Sequence, residues 1–154
     1  VGTLGGAWAA QAGEAPPSVV VSSASGQVLA RVDLPGERFA VRYRNSIYGT
    51  LAEERYAVTP DGRFVLDELA ADQLAVLEEY YAVDAAPRSA TAGDRRAFVA
   101  EPHPDRTPAF RELSIAATDL GERTLFVPGR SPVALWRLVG AEAPTVVLRL
   151  DGVS

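Results

Sequence analysis

The chain has 154 residues, a formal net charge of −5 and no cysteine, and 47% of its residues are hydrophobic. That length favours a single domain with its own core, burying about 68–70% of the extended surface. The acidic balance argues against nucleic acid or an anionic membrane surface as a partner, because no basic stripe is available to neutralise phosphates. The missing cysteine excludes disulfide, zinc-thiolate and thiol redox chemistry.

All 15 basic residues are arginine. The absence of lysine excludes Schiff-base catalysis and any lysine-dependent phosphate loop. So much Ala, Val, Gly and Pro matches a GC-rich bacterial genome. The chain starts at Val1 and has no methionine, so its natural start is expected to have been removed.

Residues 1–16 are small and apolar, uncharged before Glu14, and contain Ala10-Gln11-Ala12. This small-x-small pattern is that of a signal cleavage site, and the stretch is too short to span a bilayer, which needs ~20 apolar residues. The expectation is the tail of a signal peptide or membrane anchor; the plainer alternative is a floppy Ala/Gly-rich terminus. A single β-rich domain is expected over residues 17–154.

Strand signals dominate that domain. Ser18–Ser22 and Gln27–Asp33, punctuated by Gly26, read as a first hairpin. Leu34–Glu37 is a turn by composition. Arg38–Asn45 and Leu51–Val58 both alternate apolar and polar residues, and Thr59-Pro60-Asp61-Gly62 ends the second. Leu66–Tyr81 is ambiguous: Leu66, Leu69, Ala70, Leu74, Leu77 and Tyr81 fall at helical spacing, yet Leu74–Tyr81 fits a strand after a turn at Ala71-Asp72. Pro87–Arg96 is loop-like, Ala97–Ala100 a short strand, and Glu101–Asp105 with Pro108 a stiff loop. Glu112–Ala116, Thr124–Val127 and Thr145–Leu150 are strands. Pro132–Leu138 is a short helix or a strand. Many short strands separated by Gly/Pro turns predict a mainly β domain, an antiparallel sandwich or partly open barrel with at most one or two short helices.

Chemistry-bearing patterns are few. His103, between two prolines, is the sole histidine, so a metal site built on several imidazoles is excluded and a Ser–His–Asp triad would have to pass through one loop residue. The glycines of GTLGG lack the spacing of a dinucleotide or phosphate loop. Asp94, Asp105 and Asp119 form no calcium-loop pattern. Glu78-Glu79 reads as a solvated edge beside aromatics. No cofactor or metal is expected.

The stretch RYRNSIYGTLAEERYAV, Arg42 to Val58, is the place to look. Paired as a hairpin, its alternation puts Phe39, Val41, Tyr43 and Asn45 on one face with Tyr56 and Val58. Glu54 shares their parity and points inward. Glu53, Arg55, Arg42 and Arg44 share the other face, expected to be solvated and laced by cross-strand ion pairs worth about 0.2–1 kcal/mol each. An inward carboxylate needs partners. Asn45, Ser46, Thr50 and the Tyr43 phenol are the candidates, forming with Glu54 either a hydrogen-bonded tie that fixes the register or a small pocket that recognises a ligand or partner. An enzyme alternative, a small hydrolase, uses Glu54 as base with Ser46 or Tyr43 and requires an open pocket reaching that carboxylate.

Tyr43-Arg44-Asn45-Ser46-Ile47, then Gly49-Thr50, then Glu53-Glu54-Arg55-Tyr56 resembles the signature of the bacterial domain of unknown function 1850 family. Leu74–Pro87 and Thr118–Leu150 resemble the family's later sections, and the likeness covers most of the chain from Val19. The family typically carries Tyr, one residue, then His-Ser-Val; its histidine is Asn45 here. The resemblance implies an extracytoplasmic accessory domain, with a signal or membrane-anchoring segment, often encoded beside TRAP transporters of the TAXI type. It also implies a strand for Leu74–Tyr81. The Asn45 departure favours a structural or ligand-binding knot over proton chemistry. The partner expected is a transporter subunit, a solute-binding protein or a small anionic solute. The remaining alternative is a structural envelope domain.

Overall fold

A computed structural model describes residues 16–80 and 86–153. The expected anchor tail therefore lies outside the described residues, apart from Pro16. Among the described residues, eleven strands form two antiparallel sheets packed face to face. The chain runs β1 (Ser18–Ser23), β2 (Val28–Asp33), β3 (Arg38–Arg44), β4 (Leu51–Val58), β5 (Phe64–Ala71), helix α1 (Leu74–Tyr80), β6 (Arg88–Ser89), β7 (Phe98–Ala100), β8 (Glu112–Ala116), β9 (Thr124–Phe126), β10 (Val133–Ala134) and β11 (Thr145–Asp151). The smaller sheet has the order β2-β1-β11-β8; the larger has β10-β9-β3-β4-β5-β7-β6. Neither closes into a barrel, so the sandwich expectation holds.

The sequence dictates this locally. The first hairpin turns through Gly26 at φ +93°, a left-handed conformation that costs a residue with a Cβ about 1–2 kcal/mol. At the β4–β5 turn the Gly62 amide donates to the Thr59 carbonyl at 3.1 Å. Period-two alternation then sends Val19 and Val21 of β1 and Val146 and Leu148 of β11 onto the inner face of the smaller sheet. They meet Phe39, Val41, Tyr43, Tyr56, Phe64, Leu66 and Leu125 from the larger one, all buried in one core. Among the described residues, no helix is long and apolar enough to cross a membrane.

Two expectations need correction. Leu74–Tyr80 is a helix, not the strand that the family likeness implied. Val76 and Leu77 are buried side by side while Glu78 and Glu79 are both exposed. A strand sends adjacent side chains to opposite faces, so it cannot make that pattern; Ala, Leu and Glu favour the helix. Pro132–Leu138 is both a strand and a helical turn: β10 leads straight into a 3-10 turn at Leu135–Arg137. Tyr81 lies outside the described residues.

Candidate functional site

The hairpin at Arg42–Val58 pairs in the expected register, Val41 opposite Glu54 and Tyr43 opposite Ala52. Its loop is a tied turn. The Asn45 amide donates to the Thr50 carbonyl at 2.8 Å, and the Gly49 amide to the Asn45 carbonyl at 2.8 Å. The Asn45 side-chain Oδ1 accepts from the amides of Ile47 and Tyr48 at 2.9 and 3.0 Å. Arg44 Nη1 donates to the Gly49 carbonyl at 2.8 Å. Gly49, at φ +68°, supplies the left-handed residue that lets the chain return. Asn45 is thus a backbone cap, a role that asparagine fills because its short amide reaches amides two and three residues on. Asn45→Ala is expected to lose about 1 kcal/mol of stability, limited because the freed amides are exposed to water; urea unfolding measures it.

Glu54 does turn toward the inner face, but its partner differs from those expected. Its Oε2 accepts from the Tyr56 hydroxyl at 2.7 Å. Asn45 lies four residues beyond the Glu54 partner Val41, or about 13 Å along the strand, so the structure does not bring Asn45, Ser46 or Thr50 to the carboxylate. Ser46 is exposed at the loop. Tyr43 is buried in the core, its ring faced by the Arg123 guanidinium at 5.3 Å. The Thr50 hydroxyl is buried without a hydrogen-bond partner. Glu54 lines a crevice of about 130 Å³ between the sheets with Val41, Tyr56, Ile115 and Arg123. Ser46 of the hydrolase alternative is therefore on a different part of the hairpin from the Glu54 base, while Tyr43 shares the inner face with Glu54.

The other face of the hairpin is where the structure departs most from expectation. Glu53 is 1% exposed, not solvated. The hairpin between β6 and β7 folds its loop over it, with the Ala90 amide donating to the Ala97 carbonyl and Gly93 turning at φ +89°. The loop delivers Asp94, Arg95 and Arg96. Arg95 grips Glu53 with two bonds, Nη2 to Oε1 at 2.6 Å and Nε to Oε2 at 3.1 Å. Arg55 Nε donates to Oε1 at 3.2 Å, and Arg96 Nε lies 3.2 Å from Oε2, near enough for an ion pair though off the hydrogen-bonding direction. Arg55 also reaches Glu68 at 2.7 Å and holds Asp94 through two bonds at 2.7 and 3.0 Å. Arg96 completes the cluster on Asp72 at 2.9 Å.

The expected cross-strand pairs do not form. Arg42 sits opposite Glu53 but stacks on the Phe126 ring at 5.0 Å, while Arg44 pairs with Glu122 at 3.0 Å. Glu53 already spends both oxygens on three loop and strand arginines. A signal was present: Ala70 and Val99 share this face with Glu53 through the register Glu53–Ala70–Val99 and are 0% and 4% exposed. Apolar residues on a supposedly solvated face announce a cover.

Burial weakens the Arg55 charge, but its hydrogen bonds to Asp94 and Glu68 outweigh that and raise its pKa. Conversely, the Arg55 hydrogen bonds hold the Asp94 carboxyl down to about 2, against an ordinary 3.8. The folded value lies below the unfolded one, so on acidification the unfolded chain takes up the proton first. The Asp94 contribution is present above about pH 4 and vanishes as pH falls toward 2. Solvent screening reduces it to about 1 kcal/mol. Asp94→Asn should lower the urea midpoint at pH 6, with the gap to wild type closing by pH 2; a gap that stays constant would assign the effect to packing.

His103 caps the 3-10 turn at Pro104–Arg106, its Nδ1 accepting from the Asp105 amide at 3.1 Å. Among the described residues, no cluster of three or more His, Cys, Asp or Glu could hold a metal ion.

No family model, no curated protein and no solved structure matches this chain.

Proposed function

We propose that this domain is a non-enzymatic extracytoplasmic accessory or binding module serving a TRAP-type transporter of the TAXI class, akin to the domain of unknown function 1850 family. The motif from Tyr43 to Tyr56 is the basis for the family and the transporter association. The observation that carries the binding reading is the end of the sandwich built by the β3–β4 loop. Ile47 is 78% exposed there and Leu120, on the adjoining β8–β9 turn, 80%. The two turns are joined by the Arg44 amide donating to the Gly121 carbonyl at 2.8 Å. Two large aliphatic side chains held in water by capped, hydrogen-bonded turns suit recognition. The Asn45 side-chain oxygen is spent on tying the β3–β4 loop.

Pro17, next to the first described residue, lies at the opposite end, beside Leu34, Glu37 and Thr59. A domain tethered through its N-terminus would therefore hold Ile47 and Leu120 away from its anchor, facing a transporter subunit or solute-binding protein. The test is capture of the neighbouring transporter proteins by the full-length, membrane-tethered protein. Capture that weakens at least tenfold in Ile47→Ser with Leu120→Ser is expected. No capture by correctly folded protein would overturn the reading.

A further inference from the structure

The outer face of the larger sheet carries a hollow that the knot does not explain. Along one row, Phe126, Ala40, Arg55 and Glu68 are neighbours on β9, β3, β4 and β5. Three of the four are long; Ala40 is a methyl group. The row therefore dips at Ala40, and the β6–β7 loop roofs the dip with Gly93, Asp94 and Arg95. The result is a cavity of about 290 Å³ lined also by Arg38, with the Phe126 ring and Pro128 as its apolar wall. Its size lies at the small end of small-molecule sites and gives room for about ten water-sized groups.

The polar groups around it are unequal. The carboxylates are already paired with cations: both Asp94 oxygens accept from Arg55, one of them also from the Arg96 amide, and Glu68 accepts from Arg55 through Oε1 with Arg88 3.7 Å from Oε2. Arg55 is engaged with them and Arg38 with Asp67, but two other guanidiniums keep spare donors. Arg95 gives one edge to Glu53 and is otherwise 45% exposed, its charge 5.1 Å from the Phe126 centroid. Arg42 lies 5.0 Å from the same ring, and its buried Nε has no hydrogen-bond partner. Donors left over beside acceptors already engaged select an anion, and a guanidinium edge matches a carboxylate in particular. The ring, the Ala40 methyl and Pro128 favour an organic body over inorganic phosphate.

We propose that this hollow binds a small organic carboxylate, its anionic group on the free edge of Arg95 with Arg42 reinforcing the field, and its apolar body against Phe126 over Ala40. This rests on the binding-module reading above and gives it a ligand class.

The test is titration of the folded protein with benzoate and with hexanoate, alongside benzamide as the neutral counterpart and inorganic phosphate, followed by amide NMR shifts and calorimetry. At least one carboxylate should shift the amides of residues 93–96 and 126–127 saturably, at least tenfold more tightly than benzamide or phosphate. Ala40→Leu, which fills the dip without removing a charged group, should abolish the shifts. Arg42→Gln should weaken binding severalfold and stands as the comparison if Ala40→Leu does not fold. No saturable shift with either carboxylate at 50 mM, equal binding of benzamide, or unchanged binding in folded Ala40→Leu would each overturn the proposal. Lost titration with transporter capture intact removes this site alone; lost capture with titration intact removes the transporter reading alone.

Discussion

Glu53→Gln is expected to destabilise the domain by about 3–5 kcal/mol at pH 7, the range for breaking a buried ion pair from one side. The substitution keeps the shape and one oxygen but removes the charge that Arg55, Arg95 and Arg96 converge on. Arg55 retains Asp94 and Glu68, and Arg96 retains Asp72. Arg95 has no other carboxylate among its described bonds and would swing into water, taking the roof of the β6–β7 loop with it. Loss of the loop should also loosen the hollow beneath it, so the melting temperature is expected to fall by about 10 °C or more. The exposed pair Arg31–Asp151, with side chains 47% and 56% exposed, is the natural control: Asp151→Asn should leave the urea midpoint close to that of wild type. Raising the salt to 1 M should erode that surface contribution and leave the Glu53 effect largely intact. Urea unfolding of both variants at low and high salt decides it. A Glu53→Gln loss below 1 kcal/mol would mean that water reaches the cluster.

The sandwich was legible because its determinants are local. Alternation from Arg38 to Val58 set which residues face inward, and the glycines at 26 and 62 marked real turns with positive φ. Glu54 on the inner face followed from parity alone. Its partner did not, because two groups at the same parity two residues apart, Glu54 and Tyr56, look like neighbours on a list and become a hydrogen-bonded pair only when the core stacks Tyr56 on Phe39 at 5.3 Å. The Glu53 cluster was hidden for a different reason. Arg95 and Arg96 lie 42 and 43 positions further along the chain, in a segment that local signals could only describe as loop. A long-range cover of that kind leaves one trace in the sequence, apolar residues such as Ala70 and Val99 at outward parity. At α1 the family likeness points to a strand, whereas its helix formers suit the helix that buries Val76 and Leu77 side by side.

Phe64→Ala carries the second large expectation, a loss of about 3–5 kcal/mol. Phe64 is 0% exposed and sits at the junction of three rings. It meets Phe39 edge-on at 5.3 Å, Tyr56 edge-on at 5.5 Å and Phe110 at 5.9 Å. Its backbone makes a two-bond bridge with Phe110, amide to carbonyl in each direction at 2.8 and 3.0 Å. Phe110 lies two residues before β8, so this bridge is a point where the larger sheet grips the chain entering the smaller one. Truncation would leave a cavity between two close-packed layers that cannot collapse without sliding one sheet over the other, which places the effect in the upper part of the range. Phe110 is only partly buried, so Phe110→Ala alone should cost less. Because the two rings share a contact, the double variant should fall short of the sum by about 0.5–1.5 kcal/mol. Additive losses within about 0.3 kcal/mol would show that the rings act independently and that the bridge is held by its backbone bonds. Tyr56 adds a second readout: its ring rests on Phe64 while its hydroxyl donates to Glu54, so the cavity should also free the Tyr56 ring to flip faster in aromatic NMR spectra, even under conditions where the variant remains folded.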